Sequence, residues 1–129
     1  MSCCLLPQDG GAIAASGPTV FDCTNCYATN NTASHSGGWF YCSGCSNTSI
    51  GAGSGISNTA AASGGAVNCE GCGSFTSQQC NYSSNAAAAG GAVSVQAAAA
   101  VNIAQSVFDQ NSATLADDTT VAAASSQLQ

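Results

Sequence analysis

Residues 90–111 read GGAVSVQAAAAVNIAQSVFDQN, and both ends of this stretch recur along the chain. A Gly-Gly pair, followed by Ala or Trp and then by an apolar residue, begins at Gly10, Gly37, Gly64 and Gly90. The residue 21 positions after each start is always asparagine, namely Asn31, Asn58, Asn85 and Asn111. A period of 26 to 27 residues is typical of solenoids, in which each repeat buries its apolar face only against its neighbours. The sequence therefore predicts four stacked coils.

Each repeat contains alternating apolar positions. The positions three and five residues after the Gly-Gly starts hold Ile13, Phe40, Val67 and Val93, and then Ala15, Cys42, Cys69 and Val95. A second such pair begins at Phe21 and Cys23 in the first repeat. Alternation with period two is typical of strands. Two or three short strands per repeat, separated by Gly, Ser and Asn, predict an all-β fold, a parallel β-helix of about four coils.

The repeat boundaries divide the chain into a short N-terminal segment or cap at 1–9, four coils, and a C-terminal tail at 119–129. The coils are expected at 10–36, 37–63, 64–89 and 90–118. The alanine runs at 86–89 and 97–100 have high helix propensity. Because they align with repeat positions that hold poor helix formers elsewhere, we expect turns there and not helices.

The charge balance narrows the classes of function. The chain has no Lys or Arg, six acidic residues and a formal net charge of -6. Nucleic acid binding is disfavoured, because it depends on neutralising phosphates with basic side chains. Asp22, Glu70 and Asp109 fall in different columns of the repeat, and His35 lies in a predicted turn without an evident catalytic partner. We therefore expect no enzyme activity and no cofactor. The sequence has no run of 18 apolar residues, so we also expect no membrane-spanning helix.

The asparagine column has a structural explanation. Neighbouring strands lie about 4.7 to 4.9 Å apart, which allows the side-chain amides of Asn31, Asn58, Asn85 and Asn111 to form a ladder along the stack. Such a ladder offsets the cost of burying a polar amide. The Gly-Gly pairs are explained by positive φ or by a corner without space for a side chain. Neither column predicts a catalytic site.

Two motifs carry a family resemblance. Gly90-Gly91-Ala92-Val93 and the later Phe108-Asp109-Gln110-Asn111 resemble the paired GGA[ILV] and FxxN motifs of the polymorphic membrane protein repeats of chlamydial adhesins. Similar repeats occur in large extracellular proteins of algae and oomycetes. The first motif is present in repeats one, three and four, and the second is complete only in repeat four. The resemblance implies a right-handed parallel β-helix at a cell surface, used for adhesion or as a structural stalk.

The nine cysteines are typical of an oxidising environment. Cys42 and Cys45 occupy the same repeat positions as Cys69 and Cys72, and the other two repeats have cysteine at neither position. This pattern predicts that the two positions are partnered. Pairing within a coil and pairing between neighbouring coils both fit disulfide geometry. The disulfide candidates are Cys23, Cys26, Cys42, Cys45, Cys69 and Cys72.

Two alternatives to these disulfides stay open. The thiolates of Cys42, Cys45, Cys69 and Cys72 match the ligand set of a tetrahedral zinc ion, although the repeat already explains the 23 residues between the two CxxC pairs. The other alternative is free buried thiols. The leftover cysteines, which are candidates for intermolecular crosslinks or free thiols, are Cys3, Cys4 and Cys80.

Two kinds of surface feature are predicted. Trp39 and Tyr41 flank Phe40, so an inward Phe40 would direct both rings outward. Exposed aromatic rings stack on sugars or anchor a protein partner, unless a loop or the N-terminal segment covers them. Asn-x-Ser/Thr sequons, which are candidate glycan acceptors, begin at Asn30, Asn47 and Asn81.

The predicted function is a non-catalytic structural or adhesive module, extracellular or at a cell surface, as a fibre or surface glycoprotein segment. The expected partners are further copies stacked end to end, or extracellular proteins or glycans. The first residues lack the regions of a signal peptide, so we expect a fragment of a longer protein. Two alternatives are an intracellular metal-binding protein with reduced cysteines and an ice-binding solenoid. The nearest flat row for ice is Thr32, Thr59, Ala86 and Ser112.

Overall fold

The structure, a computed structural model, describes residues 11–114, 119–123 and 126–128, with side chains described for 11–114. The described residues form four parallel sheets. The first sheet contains β1 (Ile13–Ser16), β5 (Phe40–Ser43), β9 (Val67–Glu70), β13 (Val93–Ala98) and β17 (Thr119–Ala123). The second sheet contains β2 (Val20–Thr24), β6 (Asn47–Gly51), β10 (Ser74–Gln78), β14 (Ala100–Ala104) and β18 (Ser126–Leu128).

Two further sheets have shorter strands. The third sheet contains β3 (Tyr27–Thr29), β7 (Ser54–Ile56), β11 (Asn81–Ser83) and β15 (Val107–Asp109). The fourth sheet contains β4 (Thr32–Ala33), β8 (Thr59–Ala60), β12 (Ala86–Ala87) and β16 (Ser112–Ala113). Strands of two residues are too short to show a period in the sequence, which is why two or three strands per coil were predicted and four are found.

Each strand pairs in parallel with the strand one repeat away. In the first sheet, for example, Ile13 lies beside Phe40, Phe40 beside Val67, and Val67 beside Val93. The predicted fold class, an all-β parallel β-helix of about four coils, is confirmed. The predicted tail differs: β17 and β18 extend the first and second sheets beyond coil four.

Four corners turn each coil, and residues with positive φ mark them. The corner columns are Gly17, Gly44, Gly71 and Ala97; Asn25, Ala52, Gln79 and Gln105; Asn30, Ser57, Ser84 and Gln110; and Gly37, Gly64 and Gly90. Left-handed backbone at a residue with a side chain costs about 1–2 kcal/mol, so the surrounding strand pairing must stabilise the non-glycine corners. The alanine runs form corners and strand ends without helix, and no helix among the described residues could span a membrane.

The corner before the first sheet interrupts the alternation of side chains. The backbone N–H groups of Trp39 and Phe40 both donate to the carbonyl of Ala66, at 2.8 and 2.9 Å. Those of Ala66 and Val67 likewise share the carbonyl of Ala92, at 2.8 and 3.0 Å. Two residues opposing one acceptor is the arrangement of a β-bulge, which redirects side chains. Trp39 and Phe40 therefore both lie in the core.

The core is a thin column between the sheets. Phe21 of the second sheet stacks on Phe40 of the first, with ring centroids 4.1 Å apart, and Tyr82 stacks on Phe108 at 5.2 Å. Aromatic contacts of this kind add to the stabilisation from burying apolar area. A separate small cluster lines the fourth sheet and consists of Ala33, Ala60 and Ala87. Each coil thus buries its apolar face mainly against its two neighbours.

Because of Tyr82, the stability of this core is expected to fall at high pH. Burial raises the pKa of the Tyr82 hydroxyl far above its ordinary value, and this hydroxyl hydrogen-bonds Ser77 Oγ at 2.9 Å. Because the folded-state pKa exceeds that of the unfolded chain, the stabilisation is complete below about pH 10 and is lost as the pH rises further, by up to about 1.4 kcal/mol per pH unit. Urea denaturation across this range should show a smaller alkaline slope for Tyr82→Phe than for the unmodified chain. Equal slopes would contradict the assignment.

Candidate functional site

The asparagine ladder runs through all four coils. The backbone N–H and the Nδ2 of Asn31 donate to Oδ1 of Asn58, at 3.0 and 2.9 Å. Asn58 repeats both bonds to Asn85, at 2.9 and 3.1 Å, and Asn85 repeats them to Asn111, both at 2.9 Å. Asn58 and Asn85 are fully buried. The ladder therefore satisfies buried polar groups and leaves no reactive group exposed to a ligand.

A second set of hydrogen bonds ties the ladder to the third sheet. The Nδ2 groups of Asn58 and Asn85 also donate to the carbonyls of Ala28 and Gly55, at 3.1 and 2.8 Å. Each of these carbonyls belongs to the preceding coil. The ladder thus fixes both the spacing of the coils and the position of the third sheet.

Among residues 11–114, three cysteine pairs are closed as disulfides, each within one coil. The bonds join Cys23 to Cys26, Cys42 to Cys45, and Cys69 to Cys72, with Cα–Cα distances of 5.9, 6.2 and 6.3 Å. These distances lie in the usual disulfide range. Of the two pairings that sequence analysis left open, the structure has the local one. The reason is the corner: Gly44 and Gly71 have positive φ and turn the chain so that the flanking cysteines face each other.

The two later disulfides also contact each other. Sγ of Cys72 lies 3.6 Å from Sγ of Cys42, and the Sγ atoms of Cys42, Cys69 and Cys72 all lie within 4.8 Å of one another. Thr48 Oγ1 lies beside them, 3.8 Å from Cys42 Sγ and 4.0 Å from Cys69 Sγ. All of these side chains are buried. We call these two disulfides together the sulfur cluster.

Cys80 is a buried free thiol. Its Sγ lies 3.4 Å from the carbonyl of Ile50 and 3.3 Å from that of Gln78, and the residue is 2% exposed. Of the two alternatives left open for Cys80, an intermolecular crosslink or a free thiol, the structure has the free thiol, and its burial keeps another molecule from the sulfur in the folded chain. The other leftover cysteines, Cys3 and Cys4, lie outside the described residues.

We expect the burial of Cys80 to protect it from alkylation. Reaction requires local opening of the coil, so labelling of the native protein should be at least about a hundredfold slower than labelling in denaturant. Peptide mapping after a short pulse of iodoacetamide, without reduction, measures this at Cys80 itself. Equal labelling in native and denatured protein would contradict the packing.

Trp39 is not an exposed contact residue, and the prediction that it points outward is wrong. Its ring lies in the core with 4% exposure, because the shared acceptor at Ala66 directs Trp39 and Phe40 to the same side. Tyr41 is half-buried on the outer face, and its hydroxyl donates to Glu70 Oε2 at 3.4 Å. The structure therefore separates the two aromatic rings that sequence analysis grouped together.

The exposed large apolar side chains of the described residues lie elsewhere, at positions that the sequence alone did not single out. Tyr27 is 74% exposed, Val20 is 58% exposed and Val107 is 57% exposed. Tyr27 and Val20 both belong to coil one, at the starts of β3 and β2. A signal was available for Tyr27: Ala28 is an inward position of the repeat, so its neighbour on a strand points outward.

The predicted glycan acceptors differ in accessibility. Asn30 and Asn81 are exposed. Asn47 is half-buried, and its Oδ1 accepts a hydrogen bond of 2.6 Å from Ser74 Oγ. Asn30 and Asn81 are therefore the more accessible acceptors.

The three acidic side chains that were considered for a catalytic role do not lie together. Asp22, Glu70 and Asp109 lie on three different sheets. Glu70 accepts a hydrogen bond of 3.0 Å from Asn68 Nδ2. His35 is exposed, and its Nδ1 lies 3.3 Å from Oγ of the buried Ser36. In the row considered for ice binding, Thr32 and Thr59 are exposed, while Ala86 is half-buried.

The chain was compared with known proteins, and any functional conclusion rests on the fold and on the sites described above. No protein-family model, no curated protein and no solved structure matches this chain.

Proposed function

We propose that this chain is a non-catalytic structural or adhesive module that works outside the cell or at a cell surface. The observation that carries the proposal is the set of three closed disulfides. Disulfides persist mainly in oxidising compartments, and small domains with thin cores use them for stability. The core here is narrow and rich in alanine, so covalent links at the corners suit a module exposed to extracellular conditions.

The surface composition supports the same proposal. The outward positions of the four sheets carry mainly Ser, Thr, Asn, Gln and Ala, and the chain has no Lys or Arg. Two of the sequons, at Asn30 and Asn81, are exposed. A surface of this kind relies on hydroxyl and amide groups for hydration, and attached glycans would add to it.

Intact mass of the natively isolated protein tests the location. For an extracellular module we expect reduction to add two hydrogens for each of the three disulfides, and we expect hexose-containing mass increments at the exposed sequons. Alkylation before reduction separates bonded from free thiols. Nine free thiols and no glycan in natively isolated protein would contradict the proposal.

Tyr27 is the residue we expect to carry adhesion. It is the most exposed of the large apolar side chains, and exposed tyrosine rings stack on sugars and anchor protein contacts. Tyr27→Ala should weaken binding to a glycan array by about tenfold or more, with an unchanged circular dichroism spectrum. Val107→Ala, which truncates an exposed side chain in coil four, is the matched control. Equal binding by Tyr27→Ala and the unmodified chain would leave only the structural role.

A further inference from the structure

The sulfur cluster contains four sulfur atoms in one buried volume. Cys42 and Cys69 are register partners on β5 and β9, and Cys72 Sγ contacts Cys42 Sγ at 3.6 Å. The fourth sulfur, of Cys45, is bonded to Cys42. The four residues are at most 2% exposed. Neighbouring coils therefore bring together two CxxC pairs that are separated by 23 residues in the sequence.

The spacing of three of these sulfur atoms, those of Cys42, Cys69 and Cys72, fits a tetrahedral metal site. With zinc–sulfur bonds of about 2.3 Å, the sulfur atoms of a zinc tetrathiolate are about 3.8 Å apart. The sulfur–sulfur distance of 3.6 Å between Cys72 and Cys42 is close to this value, and Cys42, Cys69 and Cys72 together span no more than 4.8 Å. Once the two disulfide bonds are opened, the fourth sulfur, that of Cys45, reaches the same ion by rotation of its side chain away from Cys42.

Thr48 provides a second, independent observation. Its column in the repeat holds Phe21, Phe75 and Val101 in the other three coils, so among coils one to four only coil two has a hydroxyl at this inward position. Thr48 is fully buried, and its Oγ1 lies beside Cys42 Sγ and Cys69 Sγ. A buried hydroxyl gains little from disulfide sulfur, which is a weak acceptor, but it forms a stronger hydrogen bond to a thiolate.

We propose that reduction converts the sulfur cluster into a binding site for one soft divalent cation, with Zn²⁺ as the reference ion. Each disulfide takes two electrons and two protons from a dithiol, which itself becomes a disulfide. The resulting four thiols lose their protons as the cation binds, and four thiolates around Zn²⁺ carry a net charge of −2. The Thr48 hydroxyl donates to this buried negative charge and lowers the cost of its burial. The site is independent of the proposed surface function, which uses the oxidised chain.

Coil one provides the matched control. Cys23 and Cys26 have the same CxxC spacing, but the register partner of Cys23 is Ile50. This pair therefore offers two sulfur atoms where the sulfur cluster offers four. A tetrahedral thiolate site is expected at the stacked pairs and not at the single one.

The test is zinc stoichiometry of the full chain after anaerobic reduction with a phosphine, which becomes the phosphine oxide. The reduced chain is loaded with ZnCl₂, desalted and examined by native mass spectrometry. We expect one zinc per chain for the unmodified protein and for Cys23→Ser/Cys26→Ser, and none for Cys42→Ser/Cys72→Ser. Thr48→Val should weaken zinc affinity by about tenfold or more. Co²⁺ in place of Zn²⁺ should give the visible absorption of a tetrahedral thiolate complex in the same variants.

Circular dichroism on the same samples shows whether each reduced variant keeps its strands. Absence of zinc from the reduced unmodified chain overturns the proposal, whether the strands persist or are lost, because the folded reduced chain is the state said to hold the ion. Equal zinc content in Cys42→Ser/Cys72→Ser and the unmodified chain overturns it as well, since other thiols would then be the ligands. Zinc bound by the unmodified chain and lost only in the sulfur-cluster variant supports it.

Discussion

Asn85→Ala is expected to lower the free energy of unfolding by at least about 3 kcal/mol. The Asn85 side chain is fully buried and takes part in four hydrogen bonds. Without it, the backbone N–H of Asn58 and one Nδ2 hydrogen of Asn58 lose their acceptor. Each unsatisfied buried group costs about 1–3 kcal/mol, and the lost side-chain volume adds to this. Urea denaturation followed by circular dichroism measures the loss.

Asn31→Ala is the matched control at the first rung of the ladder. Asn31 is half-buried, and among the described residues its Nδ2 donates to Asn58 Oδ1. Asn58 Oδ1 still accepts from the Asn31 backbone N–H after the substitution. We expect a loss of no more than about 1.5 kcal/mol. Similar losses for the two variants would show that the buried rungs contribute no more than the terminal one.

Gly65→Ala is expected to destabilise the chain by more than about 3 kcal/mol and to prevent folding if the stability is marginal. A Cβ at Gly65 would meet the carbonyl oxygen of Gly91 and, at 2.6 and 2.8 Å, the backbone N and O of Ala86. These are backbone atoms of paired strands and corners, so no side-chain rotation relieves the overlap. The coils must move apart, which stretches the interstrand hydrogen bonds. Far-UV circular dichroism and gel filtration of the purified variant measure the outcome.

Gly17→Ala separates this steric effect from backbone strain. Gly17 has a φ of 80°, and a Cβ there would meet no atom within 4 Å. Ala97 already occupies the same corner in coil four with a φ of 54°. The substitution should cost only the left-handed conformation, about 1–2 kcal/mol. If Gly65→Ala is as stable as Gly17→Ala, close packing at the Gly-Gly corner does not limit the fold.

Residues one period apart in the sequence become neighbours in a stack, so the columns of the repeat could be read as spatial contacts. This is why Asn31, Asn58, Asn85 and Asn111 could be assigned to a ladder before the structure was known. The same reasoning placed Cys42 beside Cys69. Contacts along the stack therefore followed from the period alone, without knowledge of the corners.

Contacts within a coil depended on the corners, which the period does not describe. Side-chain alternation holds inside a strand, but the shared acceptor at Ala66 precedes β5 and directs Trp39 inward. The choice of local disulfides likewise depended on the positive φ of Gly44 and Gly71. Both local and inter-coil pairings satisfied the distance limits, so spacing could not decide between them.

The asparagine ladder also gives the molecule a direction. Asn31, Asn58 and Asn85 each donate from the backbone N–H and from Nδ2 to Oδ1 of the asparagine in the following coil, and no Oδ1 of the ladder accepts in the opposite direction among the described residues. Two copies meeting by identical ends would place acceptor against acceptor or donor against donor. A second copy can continue the ladder only head to tail, which is a heterologous contact that does not close on itself. Growth through the ladder would thus produce polar filaments and not symmetric dimers.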